Sequence, residues 1–186
     1  MRLIIAITGA SGVIMGYRLL QALRQHPDIE THLIISEGAK RNFELETELT
    51  VDTVLREASF QYDNSDLAAC ISSGSFRTDG MVVIPCSMKT LSGIANAYDE
   101  NLIIRAAGVC LKEGRRLVLV PREMPLSRVH LHNLQLAADY GCRILPPMLT
   151  FYNRLSTTEE QVQHIIGKIL MQFDVRHDKF IPWREE

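Results

Sequence analysis

The sequence predicts an α/β fold: a doubly wound, mostly parallel sheet of the Rossmann or flavodoxin-like kind, with helices on both faces. Three observations predict it. Short runs rich in Ile, Val and Leu recur at residues 3–8, 32–36, 81–85, 117–121 and 143–146. They are continuous rather than alternating, which suits strands covered on both faces. Longer amphipathic stretches separate most of them, and strand–helix alternation is the mark of crossover units. The first run also ends in Gly9-Ala10-Ser11-Gly12, a glycine turn that leads into a helical pattern.

Taken in order, the first helix covers residues 13–25 and follows the glycine turn directly. A short helix is expected at 50–57. Residues 61–80 contain Asp63-Asn64-Ser65-Asp66 and Ser72-Ser73-Gly74-Ser75, so they read as a long loop. Long loops in compact domains are often functional. Asp99 is placed as the N-cap of a helix reaching Glu113. Ile103, Ala106, Ala107, Cys110 and Leu111 form its stripe, and Gly114 stops it. The stretch 126–140 puts Leu131, Leu134 and Ala138 in register and ends at Gly141. The last helix opens within Ser156-Thr157-Thr158-Glu159-Glu160, which contains the S/T-x-x-E capping pattern. It then presents Val162, Ile165, Ile166, Ile169 and Phe173 at the spacing of one face.

Composition narrows the function classes. The 186 residues carry 20 basic and 22 acidic side chains, for a formal charge of −2. Such a chain is one domain's worth of sequence, residues 1–186, and carries no basic footprint for nucleic acid. Its apolar runs fall far short of the roughly 20 residues that span a bilayer. The four cysteines, Cys70, Cys86, Cys110 and Cys142, form no C-x-x-C pair, and His130 and His132 do not share a helical face. A metal site is therefore not expected, and unpaired cysteines suit a reducing cytoplasm.

In an open α/β sheet, ligands bind beyond the carboxyl ends of the strands. The residues following the apolar runs are Gly9-Ala10-Ser11-Gly12, Ser36, Cys86-Ser87-Met88-Lys89-Thr90, Pro121-Arg122-Glu123, and Pro146-Pro147 with Phe151-Tyr152 soon after. Hydroxyls, small residues, an Arg–Glu step and an aromatic thus share one rim. The glycine turn matches neither G-x-G-x-x-G nor the P-loop pattern. A dinucleotide fold would want an acid at the end of the second strand, where Ser36 stands instead. The hydroxyls of Ser11, Ser36, Ser87 and Thr90 favour a mononucleotide such as FMN, whose ribityl chain and phosphate need hydrogen bonds.

Solubility poorly explains Arg122 and Glu123 at a strand end. Arginine can clamp phosphate in a bidentate fork, and a glutamate can move protons. Other candidates have bland readings beside the functional ones. Arg105 and Lys112, seven residues apart on one helix, suit a solvated stripe. Glu46 belongs to an acidic helix face, Tyr152 could be core, and Lys168 reads as solvent-exposed.

The motifs Thr8-Gly9-Ala10-Ser11-Gly12, 85–91 (Pro-Cys-Ser-Met-Lys-Thr-Leu), Arg105-Ala106-Ala107, 119–125 (Leu-Val-Pro-Arg-Glu-Met-Pro) and Phe151-Tyr152-Asn153 together resemble the flavin prenyltransferase family. These are the UbiX-like proteins that accompany UbiD-like decarboxylases. The chain looks most like the branch associated with hydroxyarylic acid decarboxylase operons. The resemblance implies an FMN-binding domain in a large homo-oligomer, usually a dodecamer. The implied reaction joins a dimethylallyl unit, from dimethylallyl phosphate, to N5 and C6 of reduced FMN without a metal. The product, prenylated FMN, serves the partner decarboxylase.

The resemblance also implies roles. Gly9, Ala10, Ser11, Ser36, Ser87, Met88, Lys89, Thr90 and Arg122 match the FMN contacts. Ser11, Glu46 and Glu123 match the catalytic positions, with Ser11 as a proton relay. Arg105, Lys112, Tyr152, Lys168 and Trp183 match the prenyl-phosphate site, some of them across a subunit boundary. The tail, 174–186, is expected to dock near that site. Two departures stand out: Lys168 where many members have Arg, and Leu67 where some carry a tryptophan.

Three other functions suit the same architecture. FMN-dependent decarboxylation of a cysteine conjugate would want a P-x-M-N-x-x-M-W stretch and a histidine after the first strand, and neither is present. A flavin carrier and direct decarboxylation of an aromatic acid are separated from prenyl transfer by assay.

Overall fold

The computed structural model describes residues 1–183. Six strands make one parallel sheet in the order β3-β2-β1-β4-β5-β6. The strands are β1 (Arg2–Ile7), β2 (Glu30–Ile35), β3 (Phe60–Tyr62), β4 (Gly80–Cys86), β5 (Arg116–Pro121) and β6 (Arg143–Ile144). The helices are α1 (Ile14–Arg24), α2 (Glu37–Glu46), α3 (Val51–Leu55), α4 (Met88–Ala95), α5 (Leu102–Lys112), α6 (Arg128–Asp139) and α7 (Thr158–Leu170). This is the doubly wound architecture that the apolar runs predict. The order reverses direction between β1 and β4, which places a crevice at their carboxyl ends.

The continuous apolar runs have a simple cause. Along β1, Leu3, Ile5 and Ile7 face one core while Ile4 and Ala6 face the other. The first core lies under α1 and α7 and takes Leu19, Leu20, Leu23, Ile165, Ile166 and Ile169. The second takes Leu91, Ile94, Ile103, Ala106, Ala107 and Cys110 from α4 and α5. Both faces being dry, polar alternation never appears. Each fully buried Leu or Ile contributes about 1.5–3 kcal/mol.

Several elements differ from the sequence expectation. Asn101, not Asp99, caps α5: its side chain accepts from the Ile104 amide at 3.2 Å. Asp99 pairs instead with Arg105 at 3.0 Å. In α6, Leu131 and Ala138 are exposed, while Asn133 and Ala137 are the buried positions. The helix therefore packs about one residue out of the register its leucines suggest. The 61–80 loop begins in a strand, since Gln61 and Tyr62 belong to β3, which pairs with β2. α4 lies outside the sequence expectation, and α2 enters it only through the acidic helix face around Glu46. α2 buries only Ala39 and Phe43, too thin a stripe to stand out. α4 starts one residue after β4, so its apolar positions merge with the strand.

Other boundaries follow the caps. Thr50 caps α3. Thr157 and Glu160 form the capping box of α7, as the S/T-x-x-E pattern predicts. No helix among the described residues is long and apolar enough to cross a membrane.

Candidate active site

The carboxyl ends of β1, β4 and β5 are stitched together by hydrogen bonds. Thr8 is buried; its hydroxyl donates to the Pro85 carbonyl at 2.7 Å and accepts from the Ser87 amide at 2.8 Å. The Arg122 amide donates to the Cys86 carbonyl at 3.2 Å. Thr8 thereby fixes the glycine turn against the β4 loop, and Cys86 fixes the Arg–Glu step beside both. Cys86 itself is buried, and desolvation pushes its thiol far above the ordinary range. It serves as packing, not as a nucleophile.

The glycine turn is shaped by close approach. A Cβ on Gly9 would lie 3.0 Å from the Cα of Gly38 in α2. Gly12 has φ +97°, a left-handed conformation that side chains resist. Its amide donates to Glu46 Oε2 at 2.8 Å. This contact brings Glu46, at the last residue of α2, directly to the turn. The acidic-face reading missed it because the partner is a backbone amide 34 residues away in sequence.

The hydroxyls at the rim are helix caps. Ser36 accepts from the Ala39 amide at 3.2 Å. Ser87 accepts from the Thr90 amide at 3.3 Å and donates to the Thr90 hydroxyl at 3.1 Å. In contrast, α1 opens on Val13 with no side-chain cap and no acidic residue in its first turn. Ser11 and Arg122 make no side-chain hydrogen bond or ion pair among the described residues. Glu123 is exposed and accepts from the amide of Met124 at 3.0 Å. Lys89 points outward to Glu100 at 3.3 Å, and Met88 packs against the core under α4 and α5.

The prenyl-phosphate candidates fall into two further groups. α5 starts beside Asn64, at the carboxyl end of β3. Its 11 residues run about 16 Å toward the amino edge of the sheet. Arg105 therefore stands near the rim, held by Asp99 and by the Ser72 carbonyl at 3.1 Å. Lys112 stands at the far edge, paired with Glu113. Within one chain, Lys112 does not reach the glycine turn.

The second group sits on α7. Tyr152 Oη lies 3.2 Å from Nε2 of the buried His164. The Trp183 ring meets the Tyr152 ring edge-on with centroids 5.0 Å apart. Phe180 stacks on His164 at 4.8 Å. Lys168, exposed, follows His164 by one turn. Burial and the Lys168 ammonium pull the His164 pKa below the ordinary imidazole range. The tail thus docks on α7, bringing Trp183 to Tyr152; residues 184–186 lie outside the described residues. His164 was missed in the sequence because it sits among the apolar positions of α7 with no motif around it.

A model of the family described as Flavoprotein matches residues 1–173. A probable UbiX-like flavin prenyltransferase from Sedimentibacter hydroxybenzoicus is 63% identical over 183 residues, covering 98% of this chain and 97% of that protein. This chain belongs to the UbiX-like flavin prenyltransferases. Two solved structures superpose closely. The dodecameric FMN-dependent UbiX-like decarboxylase from Escherichia coli O157:H7 shares 51% identity with a TM-score of 0.97, covering 99% of this chain and all of that one. AnUbiX (PadA1), in complex with FMN and dimethylallyl pyrophosphate, shares 42% identity with a TM-score of 0.96, covering 100% and 98%. Within this UbiX-like chain, Lys168 keeps a cation on α7 without the bidentate fork of arginine. Leu67 stays exposed.

Proposed function

We propose that the chain joins a dimethylallyl unit, from dimethylallyl phosphate, to N5 and C6 of reduced FMN, and that the prenylated FMN serves a UbiD-like aromatic acid decarboxylase. The observation that carries this reading is the set of hydrogen bonds that ties the glycine turn, the Ser87 loop and the Arg122–Glu123 step together at the carboxyl ends of β1, β4 and β5. The full-length similarity to flavin prenyltransferases supports it.

The residues present fit a flavin. A phosphate suits the start of α1, because the helix dipole favours an anion there. The bare backbone of Gly9 and Ala10 leaves room for close approach. The caps Ser36 and Ser87, with Thr90, Met88 and Lys89 in the β4–α4 segment, would hold the ribityl chain and the ring edge. Arg122 would supply a cation to the phosphate or ring. When bound and reduced, the flavin supplies the nucleophilic N5 and C6.

The chain's own groups then have defined tasks. Donors must neutralise the phosphate as the allylic C–O bond breaks, the role of fixed positive groups in a dry site. Tyr152, Lys168 and Arg105 fit that role. Trp183 backs Tyr152 within its own chain, and Lys112 joins the group where a neighbouring copy completes the crevice, since it cannot reach the rim of its own chain. A homo-oligomer, dodecameric like the Escherichia coli O157:H7 relative, would provide such neighbours. Glu123 takes up the proton leaving C6, and Ser11 relays protons at the flavin face. Glu46 holds the turn that carries Ser11. We place the chain in the cytoplasm, where its four unpaired thiols persist.

The test is direct. Protein, FMN, dithionite and dimethylallyl phosphate are mixed without air and the released flavin is weighed. A gain of one C5H8 unit supports the reading. Unmodified FMN would mark a carrier instead, and carbon dioxide from an aromatic acid with this protein alone would mark a decarboxylase.

A further inference from the structure

His164 is the one buried histidine on α7, and its two ring nitrogens are treated differently. Nε2 lies 3.2 Å from the Tyr152 hydroxyl. Nδ1 is buried with no hydrogen-bond partner among the described residues. The ring is held between Phe180, stacked at 24°, and Tyr152, edge-on at 76°. Gly167 makes the Phe180 contact possible, since a Cβ there would lie 2.4 Å from the Phe180 Cβ.

A buried imidazole beside an ammonium is neutral at pH 7, so it carries one N–H. Two tautomers are available. A proton on Nδ1 would be a buried N–H with nothing to receive it, a rare arrangement in folded proteins. A proton on Nε2 is used by the Tyr152 oxygen and leaves only a lone pair bare at Nδ1. The second tautomer is the less costly. It has a consequence for Tyr152: its oxygen is already accepting from His164, so its own O–H must be donated elsewhere. Tyr152 is 43% exposed, so that donor is available to a ligand. Lys168, one turn from His164 on the same helix, presents an exposed ammonium. A hydroxyl donor and an ammonium together suit an oxyanion. A phenol that accepts one hydrogen bond also donates a stronger one.

We propose that His164 is a positioning residue: its Nε2–H fixes the Tyr152 hydroxyl as an outward donor to the phosphate of the prenyl substrate. This deepens the proposed function and rests on it for the identity of the anion. The tautomer itself does not depend on that reading.

Two measurements test it. The first is the magic-angle-spinning ¹⁵N spectrum of the full chain labelled at histidine, without substrate, with His164 assigned by difference from His164→Gln. The Nε2-protonated pattern is expected; an Nδ1-protonated His164 overturns the proposal whatever the enzyme does. The second is steady-state prenyl transfer. His164→Leu should raise KM for dimethylallyl phosphate about tenfold while kcat stays within twofold. His164→Gln, whose amide N–H can stand in for Nε2–H, should restore KM to near the wild-type value. In the Tyr152→Phe background, His164→Leu should add no further loss. An unchanged KM in His164→Leu, or a His164→Gln as impaired as His164→Leu, refutes the proposal. Wild-type protein that leaves FMN unmodified while showing the Nε2 tautomer would overturn the functional reading and the phosphate assignment together, and leave only the orientation of Tyr152.

Discussion

Glu46, the last residue of α2, accepts a 2.8 Å hydrogen bond from the amide of Gly12, the residue whose left-handed backbone closes the glycine turn. A carboxylate at this point satisfies an amide that no helix bond reaches, and does so 34 residues away in sequence. The turn that carries Ser11 therefore depends on where α2 ends. Glu46→Ala should weaken FMN binding by roughly tenfold, the scale of one charge-assisted hydrogen bond. Glu46→Gln keeps an acceptor oxygen and should lose less. A flavin fluorescence titration reads both; equal affinities in wild type and Glu46→Ala would refute the coupling.

Thr8 makes a second prediction about the rim. Its buried hydroxyl donates to the Pro85 carbonyl and accepts from the Ser87 amide. Thr8→Val leaves both groups without that partner and should cost about 1–3 kcal/mol. For a chain of this size that lowers Tm by roughly 2–12 °C. Thr8→Ser keeps the hydroxyl and should recover most of the loss. A Thr8→Val protein as stable as wild type would show that water replaces the hydroxyl at no cost.

Glu123 is the candidate for proton traffic at C6. It is exposed just beyond the end of β5, and among the described residues its carboxylate accepts a hydrogen bond only from the Met124 amide. Glu123→Gln should bind FMN as well as wild type, because it removes no cation or helix amide from the crevice. It should lose at least a hundredfold in formation of prenylated FMN, the scale of general acid–base catalysis. Normal turnover in that variant would move the proton to another group.

Much of this site was legible because strands announce themselves on both faces. The runs around Ile5, Val83 and Val118 had no polar alternation, and that alone placed the rim at Ser11, Ser87 and Arg122. What escaped was set by contacts distant in sequence. Glu46 looked like any acid on an exposed helix, since a backbone amide leaves no signature in side-chain spacing. Asn101 rather than Asp99 capped α5, and Leu131 faced outward, because caps and helix rotation are decided by what packs opposite. β3 was hidden because three residues are too few to show a period. His164 had the burial of a core residue and the chemistry of a site residue, and spacing records only the first.

Stability should also respond to acid through His32. The ring is buried between β2 and β3, with Tyr62 Oη on Nδ1 at 2.8 Å and Glu30 on Nε2 at 2.8 Å. Arg2 also pairs with Glu30, and Phe60 and Phe76 pack on the ring. Burial outweighs the Glu30 carboxylate and lowers the His32 pKa below 6.5. The unfolded chain then binds the proton first as pH falls. The stability from a neutral His32 is fully present above pH 6.5 and declines below it until the folded form protonates too. Such a site contributes a slope of at most about 1.4 kcal/mol per pH unit. His32→Gln should lower stability at pH 7.5 and flatten the decline below pH 6.5 in urea unfolding. An unchanged slope would assign the acid sensitivity to His164 and His177, whose pKa values burial also lowers.

Gly167→Ala sets local propensity against tail docking. Alanine in a helix interior gains about 1 kcal/mol over glycine, so α7 alone should be stabilised. The added Cβ, however, would lie 2.4 Å from the Phe180 Cβ, a contact that backbone must move to relieve. Phe180 is what covers His164, and the same segment brings Trp183 to Tyr152. The variant should therefore keep or raise its Tm while the tail becomes cleavable after Lys179 under limited trypsin digestion. Its KM for dimethylallyl phosphate should rise several-fold with FMN affinity unchanged, because the tail touches the Tyr152 group and not the glycine turn. A Gly167→Ala protein with a protected tail and a normal KM would mean that Phe180 can shift without moving Tyr152, and that the tail's packing on α7 is separate from the site.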